Sequence, residues 1–200
     1  MRSLLATMTL GLTLLALGAP VVASRSPSDQ SVGKSIATDR HAGVILMRHA
    51  NAPGRGEPAN FDLNDCTTQR NLSDKGRAEA LDLGAALREQ DLGIVKILSS
   101  RWCRARETAQ LLNVGLVEPS AEFDNLDFNK HRATSLIERE LQLIEAWRGL
   151  GKLLIVTHSS NIQRITGLDV LPGTLIVAKP KSERDASIVF EMLPARKGHS

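Results

Sequence analysis

The sequence predicts an α/β fold, a three-layer α/β/α sandwich with a mostly parallel central sheet. Three observations carry that expectation. Apolar runs of strand length alternate with segments of helical period from about residue 41 onward. The clearest runs, "VILM" at 44–47 and "LLIVT" at 153–157, are almost free of polar residues, as in strands covered on both faces. Hydrophobic residues make up 42% of the 200 residues, enough for a real core in a chain of single-domain length.

The first 23 residues stand apart from that pattern. After Met1 and Arg2 no charged residue occurs until Arg25, and Val21 and Ala23 are spaced like the small residues before a signal-peptidase cut. A cleavable signal peptide over 1–23 is expected, with a periplasmic or secreted product and no stable membrane insertion after cleavage. Residues 24–40 lack periodicity and read as a flexible lead-in, leaving 41–200 as the domain.

Within the domain, Val44–Met47 is the first strand. Ser73 is placed to cap a helix running to about Gln90, with Ala78, Leu81, Ala85 and Leu87 facing the sheet. Ile94–Leu98 is a second strand, interrupted by Lys96. Ala105, Thr108, Ala109 and Leu112 then fall at i, i+3, i+4, i+7 and define the packing face of a helix. A third helix, about Thr134 to Arg148, places Ile137, Leu141, Ile144 and Trp147 inward, with Gly149 and Gly151 ending it. Leu153–Thr157 follows. Leu175–Ala178 and Ile188–Leu193 complete the sheet, their short connection suggesting an antiparallel or edge arrangement.

Between the first strand and the first helix lies a loop, Ala50 to Asn71, with no periodic pattern. Loops of that length in compact domains tend to be functional or disordered. Its position directly after Arg48–His49 favours function.

Polar residues of unusual kinds end the strands. Arg48-His49 follows "VILM", Ser99-Ser100 with Arg104 follows "IVKIL", and His158-Ser159-Ser160 follows "LLIVT". Ligands of parallel α/β sheets bind at the carboxyl ends of strands, so separate segments deliver two imidazoles and two guanidiniums to one edge. That set suits a phosphoryl group, because a guanidinium matches phosphate oxygens in a bidentate fork. The N-termini of the following helices add N–H donors.

The net charge of +3 is spread without a long basic run, and only 3% of residues are aromatic, so nucleic acid is not an expected partner. No HExxH or paired-histidine motif is present, so neither metal nor other cofactor is expected. In an exported protein Cys66 and Cys103 are expected to form a disulfide rather than remain two small core thiols.

The ordered set "LMRHA", "NLSDKGRAEA", "LSSRWCRARETAQLL" and "LIVTHSSNI" resembles the histidine phosphatase superfamily, with its phosphoglycerate-mutase-like fold. The likeness runs from Val44 to about Thr166 and is closest to small exported members. It implies a metal-independent phosphomonoester hydrolase in which His49 attacks phosphorus and carries it as a phosphohistidine. Arg48, Arg104 and His158 would bind the phosphoryl oxygens, His158 kept protonated by the phosphate. A backbone carbonyl is expected to hold the second ring N–H of His49 and fix its tautomer.

Two departures stand out. Ala50 replaces the family's usual glycine after arginine-histidine, and the region of the proton donor offers Glu122, Asp124 and Asp127 without a clear match. Asp127 is the preferred acid, with Asp124 the alternative. Asn51, Arg55, Arg70 and Arg101, with Lys130–Arg132, would form a basic rim for the rest of the substrate, or simply a solvated positive surface. The expected partner is a small-molecule or saccharide phosphomonoester, by analogy a cell-envelope sugar phosphate. The competing reading is a non-catalytic phospholigand-binding module of the same fold.

Overall fold

The structure is a computed structural model and describes residues 43–128, 130–180 and 188–193. The expected signal segment and lead-in lie outside the described residues. In chain order the elements are β1 (Gly43–Arg48), α1 (Asp74–Gln90), β2 (Ile94–Ser99), α2 (Cys103–Leu112), β3 (Val117–Pro119), α3 (Ala133–Ala146), β4 (Lys152–Thr157), α4 (Ser159–Thr166), β5 (Leu175–Pro180) and β6 (Ile188–Met192). Among the described residues one sheet forms in the order β3-β2-β4-β1-β5-β6.

The first four strands of that order are mutually parallel. The pairs β1–β5 and β5–β6 are antiparallel, as the short connection between the last two runs suggested. β3 has no counterpart among the apolar runs of the sequence. With three residues, two of them exposed, it has too little apolar content to read as a run.

Alternate residues of the central strands feed two separate cores, which is what the pleat of a doubly covered sheet requires. Ile45, Met47, Ile97, Leu154 and Val156 pack with Leu87 of α1 and with Ala105, Ala109 and Leu112 of α2. Val44, Leu46, Leu98, Leu153 and Ile155 pack on the opposite face with Ile144 of α3 and Ile162 of α4. Each buried aliphatic side chain contributes about 1.5–3 kcal/mol, and this rigid slab fixes where the carboxyl ends of β1, β2 and β4 lie.

α1 begins as expected, the Ser73 hydroxyl accepting from the Gly76 N–H at 3.0 Å. Its inward face is different. Ala78, Leu81 and Ala85 are exposed, and the contact stripe is Gly76, Ala80, Gly84 and Leu87. Small residues let the helix backbone approach its neighbours: a Cβ at Gly84 would collide with the Leu112 carbonyl, and one at Gly76 with the Asn51 backbone. Close approach, rather than bulk, marks this face.

On α3, Ile144 is buried as expected, while Ile137, Leu141 and Trp147 are only half-buried. Leu136 and Glu140 take the remaining inward positions. The α2 face of Ala105, Thr108, Ala109 and Leu112 is buried as expected.

Replacing Gly84 by alanine forces α1 away from the end of α2. Chemical denaturation of G84A is expected to show a stability loss of about 1–3 kcal/mol, with the exposed-face change A85S within about 0.5 kcal/mol of wild type.

Candidate active site

β1 and β4 run side by side in register, pairing Arg48 with Thr157, so the residues following each strand emerge together. The His49 N–H donates to the Thr157 carbonyl at 3.0 Å, and the Ser100 N–H to the Val156 carbonyl at 2.9 Å. Main-chain bonds thus pin three strand ends before any side chain is placed. The imidazoles of His49 and His158 meet edge to face, with centroids 5.3 Å apart.

Arg104, from the first turn of α2, sits at the centre of the group with 0% side-chain exposure. Its Nε donates to His49 Nε2 at 3.2 Å, its Nη2 lies 3.3 Å from His158 Nδ1, and its Nη1 donates to Glu57 Oε1 at 2.6 Å. Burial, then Arg70, pushes its pKa down to about 10, and Glu57 opposes that shift. It stays a cation at neutral pH.

His49 Nδ1 lies 2.8 Å from the Ala50 carbonyl, which accepts its N–H and leaves Nε2 with the lone pair. Burial first, then Arg104, holds the His49 pKa down to about 3, so the ring is neutral. His158 is likewise held well below the usual histidine value by burial and Arg104. With Nδ1 facing Arg104, its Nε2–H donates to the Ser100 hydroxyl at 2.8 Å. Burial and Arg104 both oppose a second proton on the His158 ring in this arrangement.

A cavity of about 180 Å³ opens beside these groups, lined by Arg48, His49, Glu57, Arg70, Asp127, His158 and neighbouring residues. It is smaller than the ~300–1,000 Å³ of a drug-sized pocket. Arg48 donates to the Val170 carbonyl at 2.6 Å, while its buried Nε has no acceptor among the described residues. A phosphoryl oxygen would satisfy that N–H.

The other sequence-selected residues divide. Arg70 and Asp127 line the cavity, Asp127 being exposed. Asp124 is buried away from it in an ion pair with Arg101, accepting also from the Arg101 main-chain N–H at 3.0 Å. These two neutralise each other and hold the loop after β2, so the structure favours neither Asp124 as acid nor Arg101 as a free rim cation. Asn51 ties the long loop to α1, its carbonyl accepting from the Ser73 N–H. Arg55 is exposed and outside the cavity lining, as are Lys130, His131 and Arg132. The Ala50 methyl is packed with Ala52, Leu72 and Ala80, so the departure from glycine is absorbed by a small apolar cluster.

Glu57, Asn125 and Phe128 line the cavity without having been selected from the sequence. Phe128 is 51% exposed and meets Phe61 and Trp102 in a three-ring cluster at the cavity mouth. The only available signal for Glu57 was its place in the long loop, "GRGEP". A lone glutamate there resembles any solvated loop acid.

The Cys66–Cys103 disulfide is formed, spanning a sequence separation of 37, and ties that loop to the start of α2, where Arg104 resides. Gln69 reinforces the tie by accepting from the Cys103 N–H at 2.9 Å. Opening a loop of this size is worth about 4 kcal/mol on the chain-entropy estimate. Reductant is expected to lower the unfolding midpoint accordingly, and an unchanged midpoint with both thiols titratable would sink that assignment.

Behind the cavity, Glu140 is buried against Asn161, whose Nδ2 donates to it at 2.6 Å and whose Oδ1 accepts from the Leu126 N–H. Burial pushes the Glu140 pKa up to about 8. A carboxyl with a raised folded pKa contributes stability that is present below its unfolded value near 4.5 and is lost as pH rises through 8. E140Q removes that titration. The stability advantage of E140Q over wild type is expected to grow from pH 5 to pH 9, read by denaturation at each pH.

The family model of the histidine phosphatase superfamily (branch 1) matches residues 44–150. No curated protein matches the sequence. Among solved structures, a protein described as the phosphohistidine phosphatase SixA of Agrobacterium tumefaciens is 19% identical, with TM-score 0.52 over 76% of this chain and 95% of that one. The mycobacterial glucosyl-3-phosphoglycerate phosphatase is 14% identical, with TM-score 0.52 over 75% and 96%. A phosphoserine phosphatase of Entamoeba histolytica is 12% identical, with TM-score 0.54 over 78% and 98%. At these identities the likeness is one of fold.

Proposed function

The chain belongs to the histidine phosphatase superfamily, and on that premise we propose that it hydrolyses a phosphomonoester through a phosphohistidine formed on His49. The observation that carries this reading is the state of His49: a neutral, buried ring whose Nδ1–H is engaged by the Ala50 carbonyl, leaving Nε2 beside Arg104. A nucleophile needs an unprotonated nitrogen held in a fixed orientation, and this geometry provides both.

Arg48, Arg104 and His158 surround the position a phosphoryl group would take. Their N–H groups meet the charge spread over the transferring oxygens. Arg104 already contacts both rings, so a phosphoryl group arriving there inherits donors aimed at the reacting nitrogen. Water then attacks phosphorus on the far side from the His49 Nε2 bond and releases inorganic phosphate.

The finer reading is an exported enzyme acting on a sugar phosphate of the cell envelope, by analogy with exported family members. The uncharged stretch between Arg2 and Arg25 and the cystine pair support export. The half-exposed Phe128 face on the cavity wall supports a substrate with an apolar ring face next to its phosphate.

Rapid trapping with a generic aryl phosphate tests the chemistry. Wild type is expected to label at His49 and turn over, and H49A to lose at least about 10³-fold in activity while still binding inorganic phosphate. Phosphate binding by wild type with neither turnover nor labelling would instead identify a binding module.

A further inference from the structure

We propose that Glu57 is the proton carrier of this reaction, protonating the leaving oxygen in the first step and taking a proton from the attacking water in the second. The inference rests on the phosphohistidine reading above and replaces Asp127 as the acid expected from the sequence.

Among the described residues two carboxylates line the cavity, Glu57 and Asp127. They differ in environment. The Glu57 side chain is 4% exposed, whereas Asp127 is exposed to solvent. Glu57 is also held at both oxygens, Oε1 by Arg104 Nη1 at 2.6 Å and Oε2 by the Arg70 N–H at 3.1 Å. Its loop is fixed in turn: Arg70 Nε donates to the Gly56 carbonyl at 3.0 Å, and the disulfide anchors Cys66 to α2. A general acid must be held in place and shielded from bulk water, and Glu57 meets that requirement.

The charged and titratable groups facing this carboxylate are Arg104, Arg70, Arg48, His49, His158 and Asp127. Before substrate arrives both Glu57 oxygens serve as acceptors, one for the Arg104 guanidinium and one for the Arg70 N–H. A phosphoryl group brings negative charge to the same guanidinium and competes for the Arg104 N–H that Oε1 now holds. A like charge against a carboxylate, and the loss of a donor to it, both favour its protonated form. Once a phosphoryl group has taken the Arg104 N–H, Glu57 Oε1 is released to carry the proton of the first step.

The steps balance. His49 Nε2 forms a bond to phosphorus, the ester P–O bond breaks, and its electron pair stays on the leaving oxygen, which takes the Glu57 proton and departs as an alcohol. Water then attacks phosphorus and gives a proton to the Glu57 carboxylate. The N–P bond breaks, its electron pair returns to Nε2, and phosphate leaves.

An acid matters most for a poor leaving group. The test compares kcat/KM, which reports the first P–O cleavage, for an alkyl phosphate and for 4-nitrophenyl phosphate in wild type, E57Q and D127N. E57Q is expected to lose about 10²–10⁴-fold on the alkyl ester and less than about tenfold on the nitrophenyl ester. Equal losses on both esters would show that Glu57 only positions Arg104, and a leaving-group-dependent loss in D127N instead would give the role to Asp127; either overturns the proposal. Should E57Q fail to fold, wild type alone decides through a series of aryl and alkyl esters. A shallow dependence of kcat/KM on leaving-group acidity is expected, and a steep one overturns the proposal. If wild type cleaves no ester and forms no phosphoenzyme, it is the phosphatase reading itself that falls.

Discussion

The structure around the cavity depends on one buried ion pair, Arg104 with Glu57. A guanidinium without solvent is tolerable only when its charge is compensated and its N–H groups are accepted. Here the acceptors are the two groups that would do the chemistry, His49 and His158, with the carboxylate as the compensating charge. Arg48 and Arg70 also line the hollow, and among the described residues their side-chain hydrogen bonds go to main-chain carbonyls. The arrangement also explains why both imidazoles are neutral: burial and neighbouring cations act on them in the same direction.

That pair joins two parts of the chain that are far apart in sequence, the long loop after β1 and the first turn of α2. A loop of this length with little regular structure would ordinarily sample many conformations. The Cys66–Cys103 bond, the Gln69 side chain and the Phe61–Trp102 ring contact all fasten it to the same region of α2. The disulfide therefore has a functional reading beyond stability. It limits how far Glu57 can move from Arg104, and so converts a surface loop into a cavity wall.

On the opposite wall the support comes from a polar network with few alternatives. Glu140, Asn161 and the main chain of Asp124 and Leu126 form one chain of hydrogen bonds behind the segment that carries Asn125, Asp127 and Phe128. Asp124 with Arg101 locks the other end of that segment to the loop after β2. Charged groups that looked available for substrate in the linear sequence are thereby consumed in holding the site together. The same reasoning explains Ala50, whose methyl finishes a small apolar cluster instead of narrowing the cavity.

Strand runs, helix caps and the three polar strand ends were legible in the sequence because each is set locally. Periodicity, Ser73 as a cap, and arginine or histidine directly after an apolar run depend on neighbours in the chain. The resemblance to a known superfamily drew on the same local motifs. What the sequence could not determine was which long-range partner each charged or small residue would meet. The α1 packing face went to glycines because helix approach to Leu112 and Asn51 is a tertiary distance. Asp124 went to Arg101, Glu140 became buried, and Glu57 reached the cavity, because the energy of a charge depends on its burial and its partner. Local physics determined the elements and the placement of Arg48–His49 at a strand end; tertiary structure alone decided which carboxylates are spent as struts and which line the cavity.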